Sequence, residues 1–365
     1  AKKSSDIVPH LFVDISAHGF GHLAQVGPVL DALAARLPEL RLTIRCGLPR
    51  EKLVSRIAAP FDHLRAASDV AFPMHDAVRV DREASAVAYR SAHADWGNAV
   101  EREADFLRNL RVDAVFSDVS ALPLAGAAHA GIPAMAMCSL NWADQLNYLF
   151  AGEAWAAPIL VQLREAYASA AVFLRCVPAM PMDDLPNTRE IPPVVRLGRS
   201  CRAALDERPG VSGERWVVVA MGGLGFDFSL QHWPQIPDVR WLVPASVALD
   251  RADVTDFEAL GVHFTDLLAS ADALVTKPGY GSFVEAAAMG VPLLYLRRDD
   301  WPEQEVLIEW LQANAACAEM STEAFAAGQL LPLLEPLWAA PRPPVRADGA
   351  AVAAEALAGL LTAKR

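Results

Sequence analysis

The chain has 365 residues, 53% of them hydrophobic and 21% charged, with a formal net charge of −12 at pH 7. That length predicts two domains, and the apolar content excludes a largely disordered chain. The acidic balance, with no run rich in Lys or Arg, excludes a nucleic-acid surface that works by displacing counterions. Anionic small molecules need only a local pocket of backbone amides and are not excluded.

Ala1–Asp6 carries no targeting pattern and leads directly into a strand predicted over Leu11–Ser16. A helix follows over Leu23–Leu37, a strand over Leu42–Cys46 and a long, largely helical region over Arg82–Leu110. Strands are predicted at Val112–Ser117, Ala134–Cys138 and Val172–Val177, with helices at Leu122–Ala130 and Ala154–Ser169. Residues 119–143 lack charge, but Pro123, Gly126, Gly131 and Pro133 break them into a loop, a buried helix and a buried strand, so no membrane span is expected. Five prolines between Pro178 and Pro193 predict a loop or linker. Strands resume at Trp216–Met221, Arg240–Val243, Val262–Thr265, Ala273–Lys277 and Leu293–Arg297, with helices at Phe283–Met289, Gln304–Asn314 and finally Ala350–Leu361. This alternation predicts parallel sheets covered on both faces, in two doubly wound α/β domains. The expected division is residues 1–199 and 200–345, with the helix in 346–365 a candidate to pack back on the first domain.

The cysteines, at 46, 138, 176, 201 and 317, are odd in number and form no C-x-x-C pair. They predict free thiols in a reducing, cytoplasmic compartment. No His/Cys cluster has ligand spacing and no D-x-D triplet occurs, so no protein-held metal is expected.

His18-Gly19-Phe20-Gly21-His22 follows the first strand and opens the first helix, at the carboxyl end of a sheet where ligands bind in open α/β folds. Gly19 to Ala24 formally matches G-x-G-x-x-A, but the second strand ends in Arg45-Cys46-Gly47 where that fingerprint wants an acid. An arginine there suits NADP and keeps an oxidoreductase open. The fingerprint leaves the two bracketing histidines unexplained, and histidine can take a proton from a hydroxyl near neutral pH. His22 is the first candidate for that base; His18 and Asp14 compete with it.

Lys277-Pro278-Gly279-Tyr280-Gly281-Ser282 lies between a strand and a helix and predicts a phosphate cradle. Ser282-x-x-Glu285 is also a capping box, which gives Glu285 a purely structural alternative. Met221-Gly222-Gly223 is a second Gly-rich turn, either a tight strand–helix connection or a ligand loop. Arg297-Arg298 is as consistent with solvated surface charge as with a site. Trp142, Trp155 and Trp301 are candidates to stack on sugars or to fill the core.

The loop His18–His22, the segment Lys277–Glu285, Met289-Gly290-Val291-Pro292, Arg297-Arg298-Asp299 and Ser139-Leu140-Asn141-Trp142 together resemble GT-B glycosyltransferases. They are most similar to the glycosyltransferase-like N-terminal region of plant arabinose kinases, whose kinase half has no counterpart in 365 residues. The resemblance implies a GT-B fold, two Rossmann-like domains facing a cleft. It implies transfer of a hexosyl or pentosyl unit from a nucleotide-diphosphate sugar, with UDP the favoured nucleotide, to a small-molecule acceptor hydroxyl. No cofactor and no metal are implied. It places Gly222, Gly223 and Gly279 to Ser282 on the diphosphate, with Lys277 nearby, Glu285 on the ribose, Glu303 and Gln304 on the donor sugar, and the base around Phe264–Asp266. His18, Gly19, Phe20, Gly21, Asn141 and Trp142 fall on the acceptor side. His22 matches the base of inverting members and Asp118 the carboxylate that supports it. Phe226-Asp227-Phe228 departs from the family's turn after the second-domain glycines. A non-catalytic nucleotide-sugar-binding protein and an NADP-dependent oxidoreductase are the alternatives.

Overall fold

The computed structural model describes residues 8–75, 79–208, 211, 215–221, 228–298 and 301–363. The chain forms two compact units. The first takes the chain to Pro73, then Val80–Val194 and the segment from Asp348 onward; the second is Val195–Ala347 with the short stretch Met74–Arg79. The boundary expected between residues 199 and 200 thus falls between 194 and 195.

The first unit holds seven parallel strands: β1 (His10–Ile15), β2 (Arg41–Cys46), β3 (Asp62–Leu64), β4 (Ala114–Ser117), β5 (Ala134–Cys138), β6 (Phe173–Cys176) and β7 (Thr188–Ile191). Their order is β3-β2-β1-β4-β5-β6-β7. The direction of winding reverses between β1 and β4, where Asp14 pairs in register with Ser117. Every residue of β1, β4 and β5 is buried, because helices cover both faces of the sheet. The apolar run at 119–143 resolves into the helix Ala121–Ala130 and β5, and no described helix is long and apolar enough to cross a membrane. The long helical region divides into Arg82–His93 and Trp96–Leu110. The proline-rich segment is not a linker: it contains β7, the edge strand against β6. Its prolines at 186, 192 and 193 flank the strand, so none removes a ladder donor from it.

The second unit holds six parallel strands: β8 (Arg215–Val219), β9 (Val239–Val243), β10 (Val254–Asp256), β11 (Ala273–Thr276), β12 (Leu293–Tyr295) and β13 (Cys317–Glu319). They lie in the order β10-β9-β8-β11-β12-β13, again with a reversal, here between β8 and β11. Its core joins Val217, Val219, Trp233, Trp241, Val275 and Phe325, with the Trp233 and Trp241 rings edge-on at 5.0 Å. The strand expected at Val262–Thr265 is instead the start of a helix, Phe264–Leu268. His263 caps that helix, its side chain accepting from the Thr265 amide, and the neighbouring strand is β10.

Two helix ends follow one recipe. The Ala121–Ala130 helix stops at Gly131 (φ 69°) and the Tyr280–Met289 helix at Gly290 (φ 69°). In each, the amide of the next residue, Ile132 or Val291, reaches back to a carbonyl in the last turn, and a proline then starts the chain toward a strand. The Met289-Gly290-Val291-Pro292 motif is therefore a helix stop.

Candidate functional site

In the first unit, the loop after β1 and the residue after β4 meet at the reversal of strand order, where open α/β sheets hold their ligands. Phe20–Arg36 is a helix whose N-cap is Gly19, and His22 lies in its first turn. His22 Nδ1 sits 2.9 Å from Asp118 Oδ2, with 7% and 0% of the two side chains exposed. The other Asp118 oxygen accepts from the amides of Ser16 (3.1 Å) and Val119 (2.5 Å). A buried carboxylate at this distance from Nδ1 favours the tautomer that keeps the proton on Nδ1 and leaves the lone pair on Nε2, the arrangement of a general base. The Cys138 thiol lies 3.8 Å from the same Nδ1.

The helix is anchored below His22. Gln25 donates to the Ser139 hydroxyl (2.8 Å) and accepts from the Cys176 thiol (3.3 Å), tying it to the ends of β5 and β6. All five cysteines are free thiols. Trp142 begins the helix Trp142–Phe150, which is capped by Asn141 accepting from the Asp144 amide. The Trp142 indole packs on the imidazoles of His18 (5.4 Å between centroids) and His22 (5.5 Å). It is 2% exposed, so its face is occupied by the histidines rather than open to a sugar. Tyr167 donates to the Val119 carbonyl (2.7 Å) and accepts from the Trp142 amide (3.2 Å), joining the Asp118 turn to the tryptophan.

Asp14, a competing base on sequence grounds, is committed elsewhere. It is 1% exposed and accepts from Arg45 Nε (2.5 Å) and Ser68 Oγ (2.7 Å). Arg45 also binds both oxygens of Glu103, at 2.6 and 3.0 Å, and its guanidinium lies over the Phe12 ring. The arginine that could have met a 2′-phosphate is thus consumed in a buried ion cluster. Sequence reasoning found neither this cluster nor Asp69, which accepts from Trp142 Nε1 (2.8 Å). Burial, then the charges of Asp14 and Asp118, push the Asp69 carboxyl up to about 6 against hydrogen bonds from Ser16 and Trp142. No pattern in the loop after β3 marks it.

In the second unit, Gly222 and Gly223 lie outside the described residues, as does Asp299. The other expected positions gather at the carboxyl ends of β11 and β12. Gly279 is the N-cap of Tyr280–Met289, so Ser282 is already the third helical residue. The capping-box alternative therefore fails: Glu285 is the sixth helical residue, in the second turn and 3% exposed, beyond the position a capping box uses. The first amides of this helix, from Gly279 to Ser282, have no intrahelical carbonyl to meet. Lys277 is 9% and Tyr280 3% exposed. Gln304 clasps the following loop, accepting from the Arg298 amide (2.8 Å) and donating to its carbonyl (2.7 Å). Glu303 accepts from Trp301 Nε1 at 3.0 Å, and Trp301 in turn lies under the Arg298 guanidinium. Arg297 pairs with Glu305 and Glu319 at the surface, the solvated alternative for that residue.

The two glycine N-caps share a property. Gly19 (φ −176°) and Gly279 (φ −169°) have extended backbones that any residue adopts. A Cβ at Gly19 would meet nothing within 4 Å, and one at Gly279 only the Lys277 carbonyl at 3.9 Å. Among the described residues neither conformation nor packing calls for glycine at these two N-caps, and with no side chain there the first helix amides are left uncovered. Among the described residues, no group of three or more His, Cys, Asp or Glu is placed to hold a metal ion.

Two doubly wound parallel units, each with a glycine-capped helix at its reversal of strand order, make the fold that of GT-B glycosyltransferases. Solved structures bear this out. A UDP-glucosyltransferase from Polygonum tinctorium capable of glucosylating indoxyl superposes with a TM-score of 0.61 at 15% identity, over 98% of this chain and 99% of that one. The kitacinnamycin glycotransferase gives 0.57 at 17% identity over 97% and 95%. The spinosyn forosaminyltransferase gives 0.55 at 18% over 96% and 95%. Among curated proteins, the L-arabinokinase of Arabidopsis thaliana is 27% identical over 332 residues, covering 88% of this chain. The chain spans about a third of that relative's length, 31%. No family model matches the sequence.

Proposed function

We propose that the protein is an inverting glycosyltransferase that moves a hexosyl or pentosyl unit from a nucleotide-diphosphate sugar, UDP the favoured nucleotide, to the hydroxyl of a small acceptor. The observation that carries this reading is the buried His22–Asp118 pair beside the open Gly19 loop. His22 Nε2 takes the acceptor hydroxyl proton as the oxygen attacks the anomeric carbon. The bond from that carbon to the diphosphate breaks, and the leaving oxygen takes the electron pair. Asp118 steadies the imidazolium that forms. Attack from the face opposite the leaving group inverts the anomeric centre.

The second unit supplies the donor contacts in this reading. The Gly279–Ser282 amides and Lys277 neutralise the departing diphosphate, and Glu285 accepts from the ribose hydroxyls. No cation is then obligatory, and turnover is expected to survive EDTA. Complete loss restored by Mg²⁺ or Mn²⁺ would refute that part. The engagement of Arg45 by Asp14 and Glu103 weighs against an NADP enzyme.

A thermal-shift panel of UDP, dTDP, GDP, CDP and NADP selects the ligand class, since binding raises the melting temperature by mass action. A response to NADP alone sinks the reading. With the responding nucleotide's sugars as donors, His22→Ala is expected to lower kcat by about 10²- to 10⁴-fold with donor binding nearly intact, and Asp118→Asn somewhat less. Near-wild-type turnover in His22→Ala ends the mechanism. Nucleotide-sugar binding without turnover in the wild-type chain leaves the non-catalytic binder in its place.

A further inference from the structure

The imidazole of His22 is fixed on one edge by Asp118, and its ring is walled by Trp142. A single side chain, Asp69, pins that indole. Asp69 accepts from Trp142 Nε1 at 2.8 Å, while the Ser16 amide donates to Asp118 Oδ1 at 3.1 Å. The Ser16 hydroxyl also accepts from the His18 amide at 3.3 Å, at the turn into the glycine loop. Resting on the glycosyl-transfer reading, we infer that Asp69 is a positioning residue for the base: through Trp142 Nε1 it holds the indole against His18 and His22.

The geometry distinguishes this role from ordinary packing. An indole held only by apolar contacts can slide along its neighbours, whereas one pinned through Nε1 has its plane set by a directional bond. Phe72, edge-on to the indole at 5.5 Å, closes another side. Asp69 also brings negative charge beside the site. The titratable groups that interact with it are Asp14, held by Arg45, Asp118, Cys46, Tyr89 and Tyr167. Burial pushes the Cys46 thiol up to about 12 and both tyrosines well above their usual range, so none of these three gains charge near neutral pH. Negative charge from Asp69 favours the imidazolium form of a nearby histidine. Removing it must therefore lower the pH at which His22 becomes neutral and able to accept a proton.

The test compares Asp69→Ala, Asp69→Asn, Trp142→Phe and His22→Ala by release of nucleoside diphosphate from the nucleotide sugar, across pH 5–9. Asp69→Ala is expected to lower kcat by about 10- to 100-fold, the cost of a misplaced base, with donor KM within a few-fold. Asp69→Asn should recover most of that loss, because its oxygen still accepts from the indole. Both should move the acid limb of the rate profile to lower pH. Trp142→Phe should lose kcat as Asp69→Ala does. If Asp69→Ala fails to fold, Asp69→Asn and Trp142→Phe carry the comparison. NMR titration of the His22 ring, which needs no substrate, should show a lower midpoint in Asp69→Asn than in the wild-type chain. An unchanged midpoint, or wild-type kcat in Asp69→Ala and Trp142→Phe while His22→Ala is inactive, overturns the inference and leaves the reading intact. Full activity in His22→Ala overturns the reading itself.

Discussion

Asp14 and Asp118 end neighbouring strands, yet they have opposite fates. Asp14 is locked by Arg45 and Ser68, whereas Asp118 offers an oxygen to His22. Breaking a buried ion pair strands its partner, so Asp14→Ala is expected to destabilise the fold by about 3–5 kcal/mol. Denaturant melts check this, and the folded fraction should keep its turnover; collapse of turnover in fully folded Asp14→Asn would move the base to Asp14. Asp69 makes a prediction of the opposite sign. Its carboxyl titrates near 6, above the usual 3.8, so the folded state binds that proton more tightly than the unfolded one. Ionised Asp69 therefore costs stability, and the cost grows as pH rises through that interval. Asp69→Asn should melt higher than the wild-type chain at pH 8, by about 1–3 kcal/mol, and show little gain at pH 4. Equal melting curves at pH 8 would show that the carboxylate carries no such burden. At this scale the sequence was only partly legible. His22 and Asp118 carry a recognisable chemistry next to strand ends, but Asp69 and Glu103 become neighbours of the site through loop and helix placement that no local pattern encodes.

Helix starts decide which side chains are available. Because the Tyr280–Met289 helix begins two residues before Ser282, Glu285 is relieved of capping, and its burial must be explained otherwise. Glu285→Gln is expected to weaken nucleoside diphosphate binding by about 10- to 100-fold in calorimetry, the loss of a charged hydrogen bond to ribose. Unchanged affinity would remove it from the donor site. Long periodic elements were legible: the Phe20–Arg36 and Glu303–Asn314 helices and the apolar strands lie within a few residues of expectation. Short ones were not. Val262-His263-Phe264-Thr265 alternates like a strand, but a capping histidine turns it into a helix start. The three-residue β3, β10 and β13 have too few buried side chains for any period to register. β7 was hidden by the prolines around it.

At the scale of the whole molecule, doubly wound units were legible because strand–helix alternation with buried strands admits few other architectures. The return of the chain was foreseen only as a possibility. The helix Gly349–Thr362 packs against Phe20–Arg36 of the first unit, with its Ala353, Ala354, Leu357 and Leu361 buried. A Cβ at Gly349 would lie 2.0 Å from the Pro192 carbonyl, so the contact admits only glycine there. Deleting residues 349–363 should therefore destabilise the first unit, seen as lost protection of Phe20–Arg36 amides in hydrogen exchange, with β8–β13 little changed. Protection equal in both chains would show the contact to be dispensable. The same return imposes a schedule on biosynthesis. At about 5–20 residues per second, a ribosome spends on the order of ten seconds on Val195–Ala347. Throughout that time the helix bearing His22 exists without its last packing partner, so the first unit emerges first and is completed last.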